Sequence, residues 1–263
     1  MPQSPTSSAK RAYAQFVEAR APVQPELPLV HTTEYERLSS IHASHRIEPR
    51  PCKVFGEPLL YLFYGRPAYR DPEKTTPIKD IAFCPVCFVF RPERHFAIKR
   101  MHPFDTGALQ KGYYEPEVSR TTAFNEFAVR AVMESAQRII AGFFETNERY
   151  MRVKPMTALA FAPEDGDAEA YHRLITGGGD PKCDDRCSAI EIQTELAADL
   201  TRDLMAVVLP TSFLEDAQFR DTLLKVWRAH PLTYDTTVGM RPSEFHGEVR
   251  KLILDFYRTW KFV

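Results

Sequence analysis

No stretch of this chain approaches the ~20 consecutive apolar residues that a membrane span requires, and its opening, MPQSPTSSAKR, lacks the apolar core of a secretion signal. The expectation is a cytoplasmic protein without membrane contact. Charge of one sign is missing too: 34 basic side chains stand against 35 acidic ones, a net charge of −1. No global field therefore draws the chain to nucleic acid or to an anionic surface, and contact with nucleic acid would have to be local. Cysteine is sparse and odd in number, at five, which argues for thiols or metal ligands rather than a disulfide framework. Neither the dinucleotide fingerprint GxGxxG nor the loop GxxxxGK(S/T) occurs, so the two common phosphate cradles are excluded. No internal repeat is visible. What is present is a 44% hydrophobic composition over 263 residues, enough to bury the core of one large domain or two small ones.

Residues 1–8 are rich in Ser, Pro and Gln, and Ala9 to Ala21 reads as a short helix packed on the body from outside. LPLVHTT at 27–33 predicts a strand ending at His31. Thr33 with Glu36 then supplies a capping box for a helix carrying Tyr35, Leu38 and Ile41 on one face. LLYLFY at 59–64 is apolar almost throughout, as an interior strand is. IAFCPVCFVF at 81–90 is a further strand, where Pro85 implies an edge, a bulge or a turn. Apolar residues from Phe124 to Phe143 recur at helical spacing and predict one long helix over 122–144. MTALAFA at 156–162 suggests another strand, a helix follows around Glu169 to Leu174, and GGGD at 177–180 opens a mobile loop. In SAIEIQ at 188–193, Ile190 and Ile192 face one way while Ala189, Glu191 and Gln193 face the other. LMAVVLP at 204–210 is a buried strand, and two helices over 213–229 and 243–258 close the chain. Strands scattered among helices without a βαβ rhythm indicate an α+β fold.

Three windows, at 28–48, 59–70 and 184–211, carry a resemblance. LVHTTEYERLSSI resembles the strand, His and helix that begin ADP-ribosyltransferase domains. LYLFYGRPAYR and RCSAIEIQ, with the strand LMAVVLP after it, resemble segments of the DarT family of DNA ADP-ribosyltransferase toxins. The resemblance implies a split sheet flanked by helices with an NAD cleft. It implies a tail and helix over 1–24 and a single domain over 25–263 with an insertion at about 75–180. It also implies NAD as co-substrate, a nucleic-acid acceptor and, for a toxin or bacterial defence effector, a neutralising antitoxin.

Position by position, the resemblance assigns His31 and Thr32 to NAD binding, Arg66 to a cationic catalytic or orienting role, and Glu191 to activation of the transfer. Tyr64 and Tyr69, with Tyr61, are stacking candidates. The chemistry suits these side chains. A carboxylate stabilises the positive charge that develops on ribose as nicotinamide departs, and it can draw a proton from the incoming nucleophile. An arginine fork holds pyrophosphate or an acceptor phosphate. The match has departures: Gly65 stands before Arg66 where DarT-like sequences have Pro, so Arg70 is an alternative to Arg66. Ala189 occupies the position where transferases acting on protein arginine carry Gln or Glu, which counts against that acceptor. RNA 2′-phosphotransferases share the scaffold, and Arg37, Arg46, Arg50 and Arg66 would serve an RNA phosphate.

Plainer readings compete. A His closing a strand is commonly structural, the aromatics of LLYLFY fill a core, and Arg66 pairs with an acid such as Asp71. A carboxylate such as Glu191 in an apolar strand costs desolvation, which either a function or an exposed edge explains. Cys84, Cys87, Cys183 and Cys187 have spacings compatible with a structural zinc site and would make the protein a binding scaffold, although flanking AF and FVF favour packed thiols. In HPFDTGAL at 102–109, Asp105, Thr106 and Gly107 form either a ligand-contacting turn or, preferably, an Asx-type cap. An NAD hydrolase on the same scaffold, with water as acceptor, is a third reading.

Overall fold

The structure, a computed structural model, describes residues 11–68, 84–92, 96–177, 184–237 and 239–263. The chain divides into two compact units, Met1–Gln24 with Arg100–Ile190 and Pro25–Lys99 with Glu191–Val263. Among the described residues the strands are β1 (Leu29–Glu34), β2 (Arg46–Ile47), β3 (Arg50–Cys52), β4 (Glu57–Tyr64), β5 (Pro85–Phe90), β6 (Arg100–His102), β7 (Glu191–Thr194), β8 (Ala198–Asp199), β9 (Leu204–Pro210) and β10 (His230–Tyr234).

Within the unit Pro25–Lys99 with Glu191–Val263, the strand order is β10-β9-β5-β1-β4-β7, and β3 also pairs with β4. β9 and β10 run parallel, while the other neighbours along this path are antiparallel. The fold is mixed α+β, with a mainly antiparallel open sheet flanked by helices. β5 and β9 are buried at every residue. That matches their uninterrupted apolar sequences, since a strand paired on both edges and covered on both faces has no polar side to show. Pro85 is tolerated because it is the first residue of β5, where its missing N–H costs little. The helix His246–Thr259 buries Val249, Ile253, Phe256 and Tyr257, positions i, i+4, i+7 and i+8 of one face, against β10, β9 and β5.

The unit Met1–Gln24 with Arg100–Ile190 has an aromatic core. The helix Tyr13–Glu18 is part of that core: Tyr13 stacks on Phe143 at 6.0 Å and meets the edge of Tyr171 at 5.6 Å. The helix expected over 122–144 is two helices, Phe124–Phe127 and Met133–Phe143. Between them the Val129 N–H donates to the Met101 carbonyl at 3.1 Å, a strand-like bridge that helical periodicity does not foresee. No strand forms at 156–162. There Met156 exchanges bonds with the Phe143 carbonyl and His172 Nε2, and Phe161 packs on Phe16 and His172, with no ladder partner among the described residues.

Two further expectations change. Thr33 caps no helix but sits in β1 opposite Val86, and the chain enters the helix Leu38–Ser44 through a 3-10 turn at Tyr35–Arg37. The helix expected over 213–229 is a 3-10 turn (Thr211–Glu215), an α-helix (Ala217–Asp221) and a π-helical turn (Thr222–Val226). Asp216 restarts the helix by accepting the N–H groups of Gln218 and Phe219.

Candidate functional site

β1 forks away from β4. The two strands share only the rows Leu29↔Tyr64 and Val30↔Phe63, whereas β1 stays paired with β5 from Leu29 to Glu34. β4 meanwhile pairs on its other edge with β7, from Leu60↔Thr194 to Phe63↔Glu191. Val30, Phe63 and Glu191 therefore occupy one row across three strands, with side chains on one face. Val30 and Glu191 lie two strand spacings apart, about 10 Å. His31 is the first residue past the last shared row.

At the fork, His31 Nδ1 lies 2.8 Å from the Tyr61 carbonyl. A carbonyl oxygen only accepts, so Nδ1 carries the proton and the neutral ring keeps its lone pair on Nε2. Burial and the nearby charge of Arg37 push the imidazole below its ordinary range, while the Tyr61 bond acts in the opposite sense. A neutral His31 is thus a hydrogen-bond acceptor at Nε2. Thr32, by alternation on the Glu191 face, donates its hydroxyl to Cys87 Sγ at 3.5 Å.

Glu191 is 1% exposed and Gln193 is wholly buried. Their side chains meet on one face of β7, where Gln193 Nε2 donates to Glu191 Oε1 at 2.7 Å. β7 is fixed on both edges beside that contact. Gln193 pairs with Tyr61, and its carbonyl accepts the Lys99 N–H at 2.7 Å. Burying a carboxylate is costly unless it is hydrogen-bonded, and the Gln193 amide offsets part of that cost.

Arg66, also wholly buried, follows the end of β4. The turn that carries it depends on Gly65, whose φ is +65° and whose N–H donates to the Pro28 carbonyl at 2.8 Å. A Cβ there would meet Leu27 Cδ1 at 2.5 Å. Glycine is thus needed for conformation and for space. The Arg66 N–H then donates back to the Tyr64 carbonyl at 2.6 Å, tightening the exit. Tyr64 has a packing role: it is wholly buried, and its hydroxyl accepts the Leu27 N–H at 2.9 Å.

Tyr61 is half-buried, opposite Gln193, with its hydroxyl 2.7 Å from Cys52 Sγ. It is the aromatic of β4 that combines exposure with the Glu191 face, and alternation from Glu191 through Phe63 was the signal for it. Tyr69, Arg70 and Asp71 lie outside the described residues, as do Cys183 and residues 178–180. Cys84 and Cys87 are buried, and burial pushes the Cys87 thiol up to about 12 against the Thr32 bond. Among the described residues no group of three or more His, Cys, Asp or Glu could hold a metal ion. None of their helices is long and apolar enough to cross a membrane.

In the other unit, Asp105 caps the helix Thr106–Gln110 by accepting the Ala108 N–H at 2.8 Å. Its own N–H donates to the Arg186 carbonyl at 3.2 Å, and the Arg186 guanidinium is clamped by Asp184 at 2.7 and 2.8 Å. The Arg186 side chain is thereby engaged in organising its own loop. Compared with protein-family models, curated proteins and solved structures, the chain matches none.

Proposed function

We propose that the protein is an ADP-ribosyltransferase that consumes NAD and modifies a macromolecule, with nucleic acid as the preferred acceptor. The observation that carries this reading is the fork between β1 and β4, with neutral His31 at its apex. Its side chain leaves β1 on the face opposite Glu191 and reaches the Tyr61 carbonyl in the gap, so the two residues meet one substrate only through the opening between the strands. A sheet that opens in this way offers a cleft between strands, as a split-sheet transferase needs.

The residues suit the substrate. His31 Nε2, with the proton held on Nδ1, accepts from a ribose hydroxyl. Glu191 stabilises the positive charge that grows at ribose C1′ as the bond to the nicotinamide nitrogen breaks and that nitrogen takes the electron pair. A new bond forms from an acceptor oxygen or nitrogen to C1′, and the acceptor's proton passes to the Glu191 carboxylate. Arg66 supplies a permanent positive charge for the pyrophosphate. Tyr61 is the stacking surface for nicotinamide or an acceptor base. If the product is toxic to its own cell, a neutralising antitoxin accompanies it.

The test is turnover of isotopically labelled NAD with single-stranded DNA, RNA or protein extract, comparing wild type with Glu191→Gln. Labelling of one acceptor class, reduced about 10²- to 10⁴-fold in the variant, is the expected result. Nicotinamide release without labelling would mean a hydrolase. No NAD turnover with any acceptor would end the transferase reading.

A further inference from the structure

Glu191 has a neighbour that the transferase chemistry above does not use. Gln193 is wholly buried on β7, and its amide nitrogen donates to Glu191 Oε1 at 2.7 Å. The Gln193 backbone is held on one edge by Tyr61 of β4 and on the other by the Lys99 amide. The amide therefore approaches Glu191 from a fixed base rather than from a free end. Its NH2 group can serve only an acceptor, and both oxygens of an ionised carboxylate accept. Such a bond favours the charged carboxylate over the protonated one and restricts rotation of its plane.

We propose that Gln193 is the positioning residue of this site, holding Glu191 ionised and oriented toward the reacting ribose. The proposal rests on the transferase reading and adds to it a residue that touches no substrate. An amide at this position differs in kind from a second carboxylate, which would repel Glu191 or share a proton with it.

Two variants separate positioning from simple packing. Gln193→Met keeps approximate volume and loses the donor, while Gln193→Glu keeps shape and replaces the donor with an acid. With labelled NAD and the acceptor identified for the wild type, Gln193→Met is expected to lower kcat about ten- to hundredfold while KM for NAD stays within about threefold. Gln193→Glu is expected to move the acid limb of the pH–rate profile at least about one unit higher, with activity recovered on the alkaline side. That recovery also shows that the variant is folded.

Carbon-13 NMR of the carboxyl groups adds a readout independent of turnover. In Gln193→Met the Glu191 resonance should titrate at higher pH than in the wild type. A wild-type enzyme that turns over NAD, with both variants matching its kcat and pH profile, would overturn the role of Gln193 while leaving the transferase intact. A wild type inert toward NAD would overturn both, even if the carboxyl titration still moved.

Discussion

At the scale of single residues, buried polar groups make the clearest commitments. His102, in β6, is 1% exposed, and burial together with the charge of Arg100 lowers its pKa to about 4, against a smaller opposing bond from Phe124. In the unfolded chain the same imidazole titrates near 6.5. Between these values the unfolded state binds more protons, so stability is fully present above about pH 6.5 and falls as pH drops toward 4. The loss attributable to His102 is about 3 kcal/mol. His31, lowered for a similar reason, adds to it in the same direction. Urea titrations at several pH values should show a flatter slope in His102→Gln; an unchanged slope would assign the pH dependence elsewhere. Tyr64→Phe strands the buried Leu27 N–H and should cost about 1–3 kcal/mol in the same assay. The roles of Tyr64 and Gln193 were half legible. Alternation along SAIEIQ put Gln193 on the side of Glu191, but the partner of the Tyr64 hydroxyl lies 37 residues away in sequence and has no local signature.

At the scale of elements, β4 and its exit are decisive. Gly65→Ala would force a left-handed backbone on alanine and drive its methyl group into Leu27, costing about 2 kcal/mol or more. On the transferase reading proposed above, in which Arg66 serves the pyrophosphate, NAD turnover should drop further than the fraction unfolded explains, because Gly65 shapes the turn that carries Arg66; loss in proportion to unfolding would remove Arg66 from the proposed site. Interior strands were readable from their apolar runs, and β4, β5 and β9 lie where those runs are. β10, with sequence HPLTY, was missed because it is short, carries a proline and owes its assignment to pairing with β9. The break at Val129 arose in the same way: local periodicity favoured continuing the helix, and a bridge to Met101 overrode it.

At the scale of the whole molecule, the N-terminal helix belongs to the core of the unit that also contains Arg100–Ile190. Tyr13, Phe16 and Val17 are buried there, and the Arg11 side chain forms an ion pair with Asp165, itself 2% exposed. Removing residues 1–24 should therefore raise amide exchange across 100–190 more than across the sheet of the other unit. Uniform protection in the truncated protein would show that the helix contributes little.

The sequence by itself determined the α+β class, the interior strands and the face of β7 that carries Glu191, because burial and alternation are local patterns written in residue type. Only the tertiary structure decided where β1 leaves β4, which nitrogen of His31 keeps its proton, and which amide meets the Glu191 carboxylate. Those facts depend on strand register and on hydrogen-bond partners distant in sequence, which no local pattern encodes.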